Sequence, residues 1–308
     1  MSKSTLLVFS TRSYEYLRNA VCRWGGFDIG QVERKTFPDF ELYQRVLTPP
    51  FGRKAALIGG TISEADTLEL FDLGCALARM GAQCLTIVIP YFGYSTMERP
   101  VKPGEVVVAK NRARLLSCIP PAGSSNRVVL LDLHTEGLPF YFEGDARPIH
   151  LYAKPVVLQA VAELGGADFV LACTDAGRAK WVESLANDLG VPASFLFKRR
   201  VGDVQVEVTA VEAHVEGRRV VIYDDMIRTG TSLLRAGRAY KDAGAASLAA
   251  VATHGVLPGD SLERLRNSGL FDAVVCTDTH PRTSQLDDGF LQVRSVAELI
   301  GIYLEETS

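Results

Sequence analysis

Residues 218–233 read Arg-Arg-Val-Val-Ile-Tyr-Asp-Asp-Met-Ile-Arg-Thr-Gly-Thr-Ser-Leu and join three kinds of segment. The apolar run 220–223 predicts a buried parallel strand. A polar loop follows, and a helical pattern begins at Leu233. This order is typical of phosphate binding, because the first N–H groups of a helix and the positive end of its dipole face the anion.

The polar residues of this stretch are suited to a sugar phosphate. Gly230 lets the backbone come close to an anion, and neighbouring hydroxyls add donors. Asp224 and Asp225 precede the loop, where carboxylates can accept hydrogen bonds from sugar hydroxyls. A simple helix cap would explain one acid or one hydroxyl but not the whole pattern, so we predict a pentose-phosphate site. The hydroxyl donors are Thr229, Thr231 and Ser232.

Length and composition indicate an ordinary globular protein. The length of 308 residues is enough for two domains. Hydrophobic residues make up 47% of the chain and charged residues 22%, as in ordinary globular proteins. A net charge of −3 gives no reason to expect nucleic acid or a membrane surface as a partner. The apolar runs are too short for a bilayer span. The six cysteines have no CxxC spacing, so we expect a reducing, cytoplasmic location.

Strands and helices alternate along the whole chain. This alternation predicts an α/β fold with two successive domains, each a mainly parallel sheet flanked by helices. We place the domains at residues 1–150 and 151–308 and expect the last helix, 296–304, to pack on the first domain. A helix over 65–79 is predicted to bury Leu68 and Leu70. Residues 204–208 and 210–215 are predicted to pair as a hairpin.

Two further residues follow buried strands at predicted sheet edges. His134 follows the strand 128–132, and Asp175 follows the strand 168–172. Imidazole binds metals or phosphates, and a carboxylate suits Mg²⁺. The alternatives are a capping or core histidine and a helix N-cap, and residue type and position do not decide between them.

Three cations, Lys198, Arg199 and Arg200, are predicted to lie in a loop after a strand. Such a run is usually a solvated surface. The alternative is a basic flap that closes over a polyphosphate and neutralises charge in the transition state.

Six motifs resemble the ribose-phosphate diphosphokinase family, also called PRPP (phosphoribosyl diphosphate) synthetases, in order and approximate spacing. The acidic pair alone also occurs in phosphoribosyltransferases. The segment 37–41, Phe-Pro-Asp-Phe-Glu, is similar to the family's adenine-contacting segment. The six motifs are Pro90-Tyr91-Phe92-Gly93-Tyr94, Asp132-Leu133-His134, Thr174-Asp175-Ala176-Gly177, Lys198-Arg199-Arg200, Asp224-Asp225-Met226-Ile227 and Ala252-Thr253-His254-Gly255-Val256.

The resemblance implies two tandem phosphoribosyltransferase-like domains and transfer of the pyrophosphoryl group of Mg-ATP to ribose 5-phosphate. It implies Mg²⁺ as cofactor, held near His134 and Asp175, and a homo-oligomer, either a dimer or a hexamer. His134 would also act in catalysis, together with Lys198 and Arg200 in a mobile loop. The implied ribose 5-phosphate ligands are Asp224, Asp225, Arg228, Thr229, Gly230, Thr231 and Ser232. The implied ATP ligands are Phe37, Asp39 and Glu41, with Arg99 or, alternatively, Arg178 as a compensating cation.

Several positions depart from the family pattern. Thr96 and Met97 replace an Arg and a Gln that contact ATP. Arg178 stands where a glycine is usual, Arg228 where an acid is usual and Thr231 where a glycine is usual. Three interpretations follow: a working PRPP synthetase with a reshaped ATP site, a transferase that consumes PRPP, or a non-catalytic paralogue that binds sugar phosphates or nucleotides.

Overall fold

The computed structural model describes residues 6–201, 205–212 and 215–307, with side chains except at positions 176, 197–201 and 205–212. The chain forms two compact units, Met1–Tyr152 with Val296–Ser308, and Ala153–Ser295. The strands at the centre of each unit are short runs of apolar residues, buried on both faces, as expected of parallel sheets.

The first unit is built mainly on parallel strands linked by helices. Among its described residues, one sheet has the order β2-β1-β5-β6-β7-β8 with all neighbours parallel, and β3 and β4 form a separate antiparallel hairpin. The elements in chain order are β1 (Leu7–Ser10), α1 (Glu15–Gly25), β2 (Asp28–Ile29), β3 (Val32–Thr36), β4 (Leu42–Val46), β5 (Lys54–Ile58), α2 (Glu64–Arg79), β6 (Cys84–Ile89), α3 (Val108–Ser117), β7 (Asn126–Leu131) and β8 (Ala146–Leu151).

The second unit has the same general construction. Its described strands follow the order β11-β10-β9-β12-β13-β14-β15, and only the edge pair β10–β11 is antiparallel. The predicted α/β class with two tandem, mainly parallel sheets is therefore confirmed. The elements are α4 (Lys154–Gly165), β9 (Phe169–Cys173), α5 (Ala179–Leu189), β10 (Ala193–Val201), β11 (Gln205–Glu212), β12 (Arg219–Ile227), α6 (Thr231–Asp242), β13 (Ser247–Gly255), α7 (Ser261–Asn267), β14 (Ala273–Thr277) and β15 (Leu291–Arg294).

The last helix, α8 (Ala297–Thr307), belongs to the first unit. It packs closely on α1: a Cβ added at Gly301 would lie 2.1 Å from Cε3 of Trp24. That distance excludes any side chain, so glycine at this position allows the two helices to approach each other.

Three local predictions were wrong. Residues 205–208 and 210–212 belong to the single strand β11, which pairs with β10, so they do not form the predicted hairpin of 204–208 with 210–215. Residues 204, 213 and 214 lie outside the described part of the chain. The backbone of residues 198–200 lies in β10 and not in a loop. Leu68 is 53% exposed, since the buried face of α2 is formed by residues that include Leu70, Leu73 and Leu77.

Candidate active site

The acidic pair lies inside β12, because this strand runs to Ile227, four residues beyond the predicted strand end at Tyr223. Asp224 is in register with Ala252 of the neighbouring strand β13. The strand places both acids at its carboxyl end, the edge at which open α/β sheets bind ligands.

Each acid is tied to the loop that follows β9. The Thr174 hydroxyl donates to Oδ2 of Asp224 at 2.8 Å. Nη2 of Arg178 lies 2.6 Å from Oδ2 of Asp225, with side chains only 19% and 6% exposed. The N–H of Asp225 also donates to Oδ1 of Asp224 at 2.9 Å. The two carboxylates are therefore held in fixed positions before any ligand binds.

The electrostatics of the pair favour a single negative charge. Burial raises the pKa of Asp224 well above its usual range, and the adjacent Asp225 raises that pKa further. The hydroxyl of Thr174 and the guanidinium of Arg178 act in the opposite direction. With one negative charge, the pair can still accept hydrogen bonds from neutral hydroxyls. It also avoids the free-energy cost of two adjacent buried charges.

The loop between β12 and α6, for which the sequence predicts an anion site, leads into the start of α6. Gly230 is the N-cap of α6 at φ +75°, and among the described residues no side chain caps this helix start. Thr229 and Thr231 lie close together, with their hydroxyl oxygens 3.1 Å apart. Arg228, Thr229 and Ser232 are exposed. The N-terminus of α6 therefore presents backbone and hydroxyl donors towards solvent.

Asp175 acts as a local cap in the structure. Its Oδ1 accepts a hydrogen bond of 2.9 Å from the N–H of Gly177, in the 3₁₀ turn Ala176–Arg178. The side chain is partly exposed. One carboxylate oxygen of Asp175 thus caps this short turn, whereas the N-cap of α5 is Arg178. The predicted role of Asp175 towards Mg²⁺ stays a prediction.

The cationic residues predicted for catalysis, Lys198 and Arg200, have their backbone on β10, and their side chains fall outside the described part of the structure. The backbone of Lys198 is in register with Val208 of β11, and that of Arg200 with Val206. The pairing shifts by one residue between Phe197 and Lys198, which marks an irregularity at the start of the basic run.

In the first unit, His134 follows a strained turn. Asp132 adopts φ +35° and is only 5% exposed, and its N–H donates to the Leu151 carbonyl. Nε2 of His150 accepts a hydrogen bond of 3.0 Å from the N–H of Leu133. His134 itself is partly exposed at the carboxyl edge of β7. Sequence reasoning missed His150, which is a lone histidine in a half-buried strand with no motif around it.

The Pro-Tyr-Phe-Gly-Tyr run is locked to the loop after β5. The hydroxyl of Thr61 accepts a hydrogen bond of 2.7 Å from the N–H of Gly93. A Cβ at Gly93 would lie 2.1 Å from the Thr61 carbonyl oxygen, so only glycine fits. The contact fixes the backbone just before the positions that depart from the family pattern.

Tyr94 begins a polar cluster that sequence reasoning also missed. Its hydroxyl donates to Oε1 of Glu64 at 2.6 Å, and this hydrogen bond raises the pKa of Tyr94. Arg112 forms an ion pair with Glu64 and lies over the Tyr94 ring, 5.3 Å from its centroid. By contrast, the predicted compensating cation, Arg99, is 78% exposed and pairs with its neighbour Glu98 at 3.3 Å.

The three residues predicted to recognise adenine lie together at the tip of the β3–β4 hairpin. The N–H of Phe37 donates to the Glu41 carbonyl, and the N–H of Glu41 donates to a carboxylate oxygen of Asp39. Phe37 packs edge-on against Tyr43 with 6.0 Å between ring centroids and stays 46% exposed. The hairpin therefore presents an aromatic ring and two carboxylates to solvent.

Comparison with known proteins assigns the family. Residues 6–119 match the model of the N-terminal domain of ribose phosphate pyrophosphokinase, and residues 155–268 match a phosphoribosyl transferase domain. The ribose-phosphate pyrophosphokinase of Synechococcus elongatus is 32% identical over 299 residues, which cover 96% of this chain and 88% of that protein. The chain belongs to the ribose-phosphate pyrophosphokinase family.

Other members of the ribose-phosphate pyrophosphokinase family agree with this assignment. The protein of that name from Gloeobacter violaceus is 33% identical over 304 residues, or 98% of this chain and 90% of its own length. The crystal structure of phosphoribosylpyrophosphate synthetase from Mycobacterium smegmatis superposes with a TM-score of 0.85 at 26% identity, covering 98% of both chains. The predicted resemblance and the two phosphoribosyltransferase-like domains are confirmed.

The described residues of this family member contain no group of three or more histidine, cysteine or acidic side chains arranged to hold a metal ion. Across the same ranges, every helix is too short or too polar to cross a bilayer.

Proposed function

We propose that this protein transfers the pyrophosphoryl group of Mg-ATP to the C1 hydroxyl of ribose 5-phosphate. The C1 oxygen bonds to the β-phosphorus, the bond from that phosphorus to the α,β-bridging oxygen breaks, and AMP leaves as the hydroxyl loses its proton. The single observation that carries the proposal is the β12–α6 segment, where two oriented carboxylates precede an uncapped helix start rich in hydroxyls.

Ribose 5-phosphate would bind along this segment. Asp224 and Asp225 would accept hydrogen bonds from the ribose hydroxyls, which suits carboxylates already held by Thr174 and Arg178. The 5-phosphate would bind at the N-terminus of α6, with the exposed Arg228 as an added cation. The phosphate ligands in this proposal are Arg228, Thr229, Gly230, Thr231 and Ser232.

ATP would be recognised by the first unit. The exposed Phe37 ring offers a surface for stacking a purine, and Asp39 and Glu41 offer acceptors for an exocyclic amine. Arg99, whose side chain is largely exposed, would supply a cation to the nucleotide, which neither Thr96 nor Met97 can do. A charged hydrogen bond contributes about 1.5–3 kcal/mol, so its absence at one position is tolerable.

The donor set fits Mg²⁺ that is held chiefly by the nucleotide. Mg²⁺ usually keeps several waters and takes one or two carboxylates beside substrate phosphates, so it needs no closed cluster of protein ligands. A partly exposed carboxylate at the end of β9 and a partly exposed imidazole at the end of β7 meet that need. In this proposal Asp175 and His134 would hold the ion, which when bound neutralises phosphate charge.

Lys198 and Arg200 would neutralise the phosphate charge that Mg²⁺ leaves on the transferred group. Phosphoryl transfer asks a protein mainly for positioning and charge neutralisation, and cations placed at the transferred group supply both. A strand pair at the sheet edge supports this role, because an edge hairpin can move without disturbing the buried strands.

We also propose that the protein is a homo-oligomer, with the β3–β4 hairpin at a subunit contact. Phe40 is 85% exposed and Leu42 is 58% exposed on this hairpin. Apolar side chains of this size on a projecting hairpin support a contact with a second copy. Light scattering of the wild type and of Phe40→Ser tests this: we expect a dimer or hexamer that dissociates in the variant, and a monomeric wild type would refute it.

The deciding experiment is an AMP-release assay with ATP, ribose 5-phosphate and Mg²⁺. We expect AMP and PRPP from the wild type, and a loss of at least about a hundredfold in Lys198→Ala. Lys180→Ala is the matched control, since Lys180 is an exposed lysine of α5 in the same unit. Failure of the wild type to release AMP would refute the proposal.

The other two interpretations give different results in the same preparation. Release of diphosphate from PRPP in the presence of a base or amine would indicate a transferase that consumes PRPP. Thermal stabilisation by ligands without any turnover would indicate a non-catalytic paralogue.

A further inference from the structure

Arg178 makes the most buried ion pair at the edge of the second sheet, among the pairs that the structure describes there. Its Nη2 lies 2.6 Å from Oδ2 of Asp225, and the two side chains are 19% and 6% exposed. A carboxylate this deeply buried needs a charged or hydrogen-bonding partner. Because exposed ion pairs contribute little and buried ones are costly to break, this contact differs in kind from the surface pairs of the same unit.

The backbone that carries Arg178 is itself anchored. The 3₁₀ turn Ala176–Arg178 follows β9, and the N–H of Arg178 donates to the carbonyl of Asp175 at 3.2 Å. The strand β9 pairs in parallel with β12, which carries Asp225. The guanidinium therefore reaches the acid from a rigid neighbouring strand end and not from a free loop.

The same loop holds both acids by different means. Thr174 donates to Asp224 at 2.8 Å, while Arg178 holds Asp225. Without a cation, two adjacent carboxylates repel each other and turn apart. The arginine thus offsets the repulsion that would change the spacing between the two carboxylates.

We propose that Arg178 is a positioning residue for ribose 5-phosphate, which fixes the Asp225 carboxylate in the orientation that accepts a hydrogen bond from a ribose hydroxyl. This inference rests on the proposed function. It assigns Arg178 an effect on sugar binding that operates through Asp225, with no effect on nucleotide binding and little on the chemical step. A carboxylate has about four lone-pair sites, so Asp225 can accept from the guanidinium and from the sugar together.

The test compares Arg178→Met with Arg178→Lys. We expect Met to raise KM for ribose 5-phosphate roughly tenfold to a hundredfold, with kcat and KM for ATP changed less than about threefold. Lys should restore at least half of the loss on a logarithmic scale, but not all of it, because it keeps a charged donor without the planar geometry of the guanidinium. Arg294→Met is the control, since Arg294 pairs with Glu163 from the far edge strand β15 and should leave KM unchanged.

A second measurement separates positioning from simple stability. Calorimetric Kd values are compared for ribose 5-phosphate and for its 2-deoxy and 3-deoxy analogues. If Arg178 acts through an Asp225–hydroxyl bond, the penalty for one missing hydroxyl should shrink at least about fivefold in Arg178→Met. Equal penalties for both analogues in wild type and variant would overturn the inference. So would an unchanged KM in Arg178→Met.

The proposed reaction and the proposed role of Arg178 can be refuted by different results. A wild type that makes no AMP refutes the proposed reaction, whatever the variants do. A wild type that makes AMP while Arg178→Met keeps its KM for ribose 5-phosphate refutes only the role of Arg178. If the Met variant does not fold, the Lys variant decides: it must show a smaller shift in the same direction, and wild-type values would contradict the inference.

Discussion

Nε2 of His150 accepts a hydrogen bond from the backbone N–H of Leu133 at 3.0 Å, across the pair of strands β7 and β8. The imidazole must therefore be neutral at this nitrogen. The contact holds the turn between Asp132 and His134, so the geometry of a predicted site residue depends on the protonation of a residue outside the motif.

Acid should weaken this contact. Burial lowers the pKa of His150 below the value of about 6.5 expected in the unfolded chain, so the unfolded state binds the proton more readily. The stabilising contribution is present above about pH 6.5 and is lost as the pH falls below it. We expect the Tm difference between wild type and His150→Phe to shrink as the pH falls from about 8 to 5. Parallel Tm curves over that range would contradict the prediction.

The acidic pair should lower stability at neutral pH. The pKa of Asp224 is raised by burial and by Asp225, so its stabilising contribution is complete below about pH 4 and is lost as the pH rises through the folded-state pKa. Asp224→Asn removes this loss and should raise the free energy of unfolding at neutral pH by on the order of 1 kcal/mol, while abolishing activity. Urea titrations at about pH 4 and 7.5 measure it.

The control for that measurement is Asp272→Asn. Asp272 is 56% exposed in its ion pair with Arg219, so its effect on stability should be small. An advantage of Asp224→Asn that does not grow with pH would show that ionisation of the buried Asp224 is not its cause.

A side chain at Gly230 should destabilise the fold and weaken binding of ribose 5-phosphate. Alanine there would adopt φ +75° and place Cβ 3.0 Å from Cδ2 of Leu265. We expect Gly230→Ala to lower the free energy of unfolding by about 1–2 kcal/mol from the backbone strain alone and to raise KM for ribose 5-phosphate. Urea denaturation and steady-state kinetics test both effects.

Gly259 is the matched control for this substitution. It has φ +58° but open space around it, so Gly259→Ala should show the backbone strain without the contact or the change in KM. Equal KM values in the two variants would refute the role of the Gly230 backbone in phosphate binding.

The buried face of α2 gives a fourth prediction. Leu70 is fully buried and Leu68 is 53% exposed. Leu70→Ala should therefore cost about 2–5 kcal/mol, while Leu68→Ala should stay within about 0.5 kcal/mol. Thermal denaturation of the two variants measures the difference, and similar losses would contradict the observed packing of the helix.

Sequence periodicity predicted the central strands well, because a strand buried on both faces is a continuous apolar run. The predicted strands 128–132 and 168–172 correspond to β7 and β9 within two residues at each end. The strands β8 and β15 were missed, because their residues are mostly half-buried and give neither a continuous nor an alternating apolar pattern. Leu68 was misplaced for a related reason: a helix with apolar residues on more than one face does not reveal which face the sheet covers.

The candidate site was predicted where function depends on consecutive residues. The acid pair and the loop from Arg228 to Ser232 lie on one βα segment, so their proximity follows from the chain itself. The pairing of Arg178 with Asp225 joins residues 47 positions apart and depends on β9 lying beside β12. A single sequence carries no signal for such a contact, and the same holds for His150 and Leu133.

The helix α8 closes the first unit although it follows the whole second unit in the chain, and its Gly301 lies against Trp24. During translation, the apolar surface of α1 that α8 covers therefore stays exposed until the second unit has left the ribosome. Folding of the two halves is for this reason not strictly sequential. A nascent chain halted after residue 295 should remain more sensitive to protease in its amino-terminal half than one that has released α8.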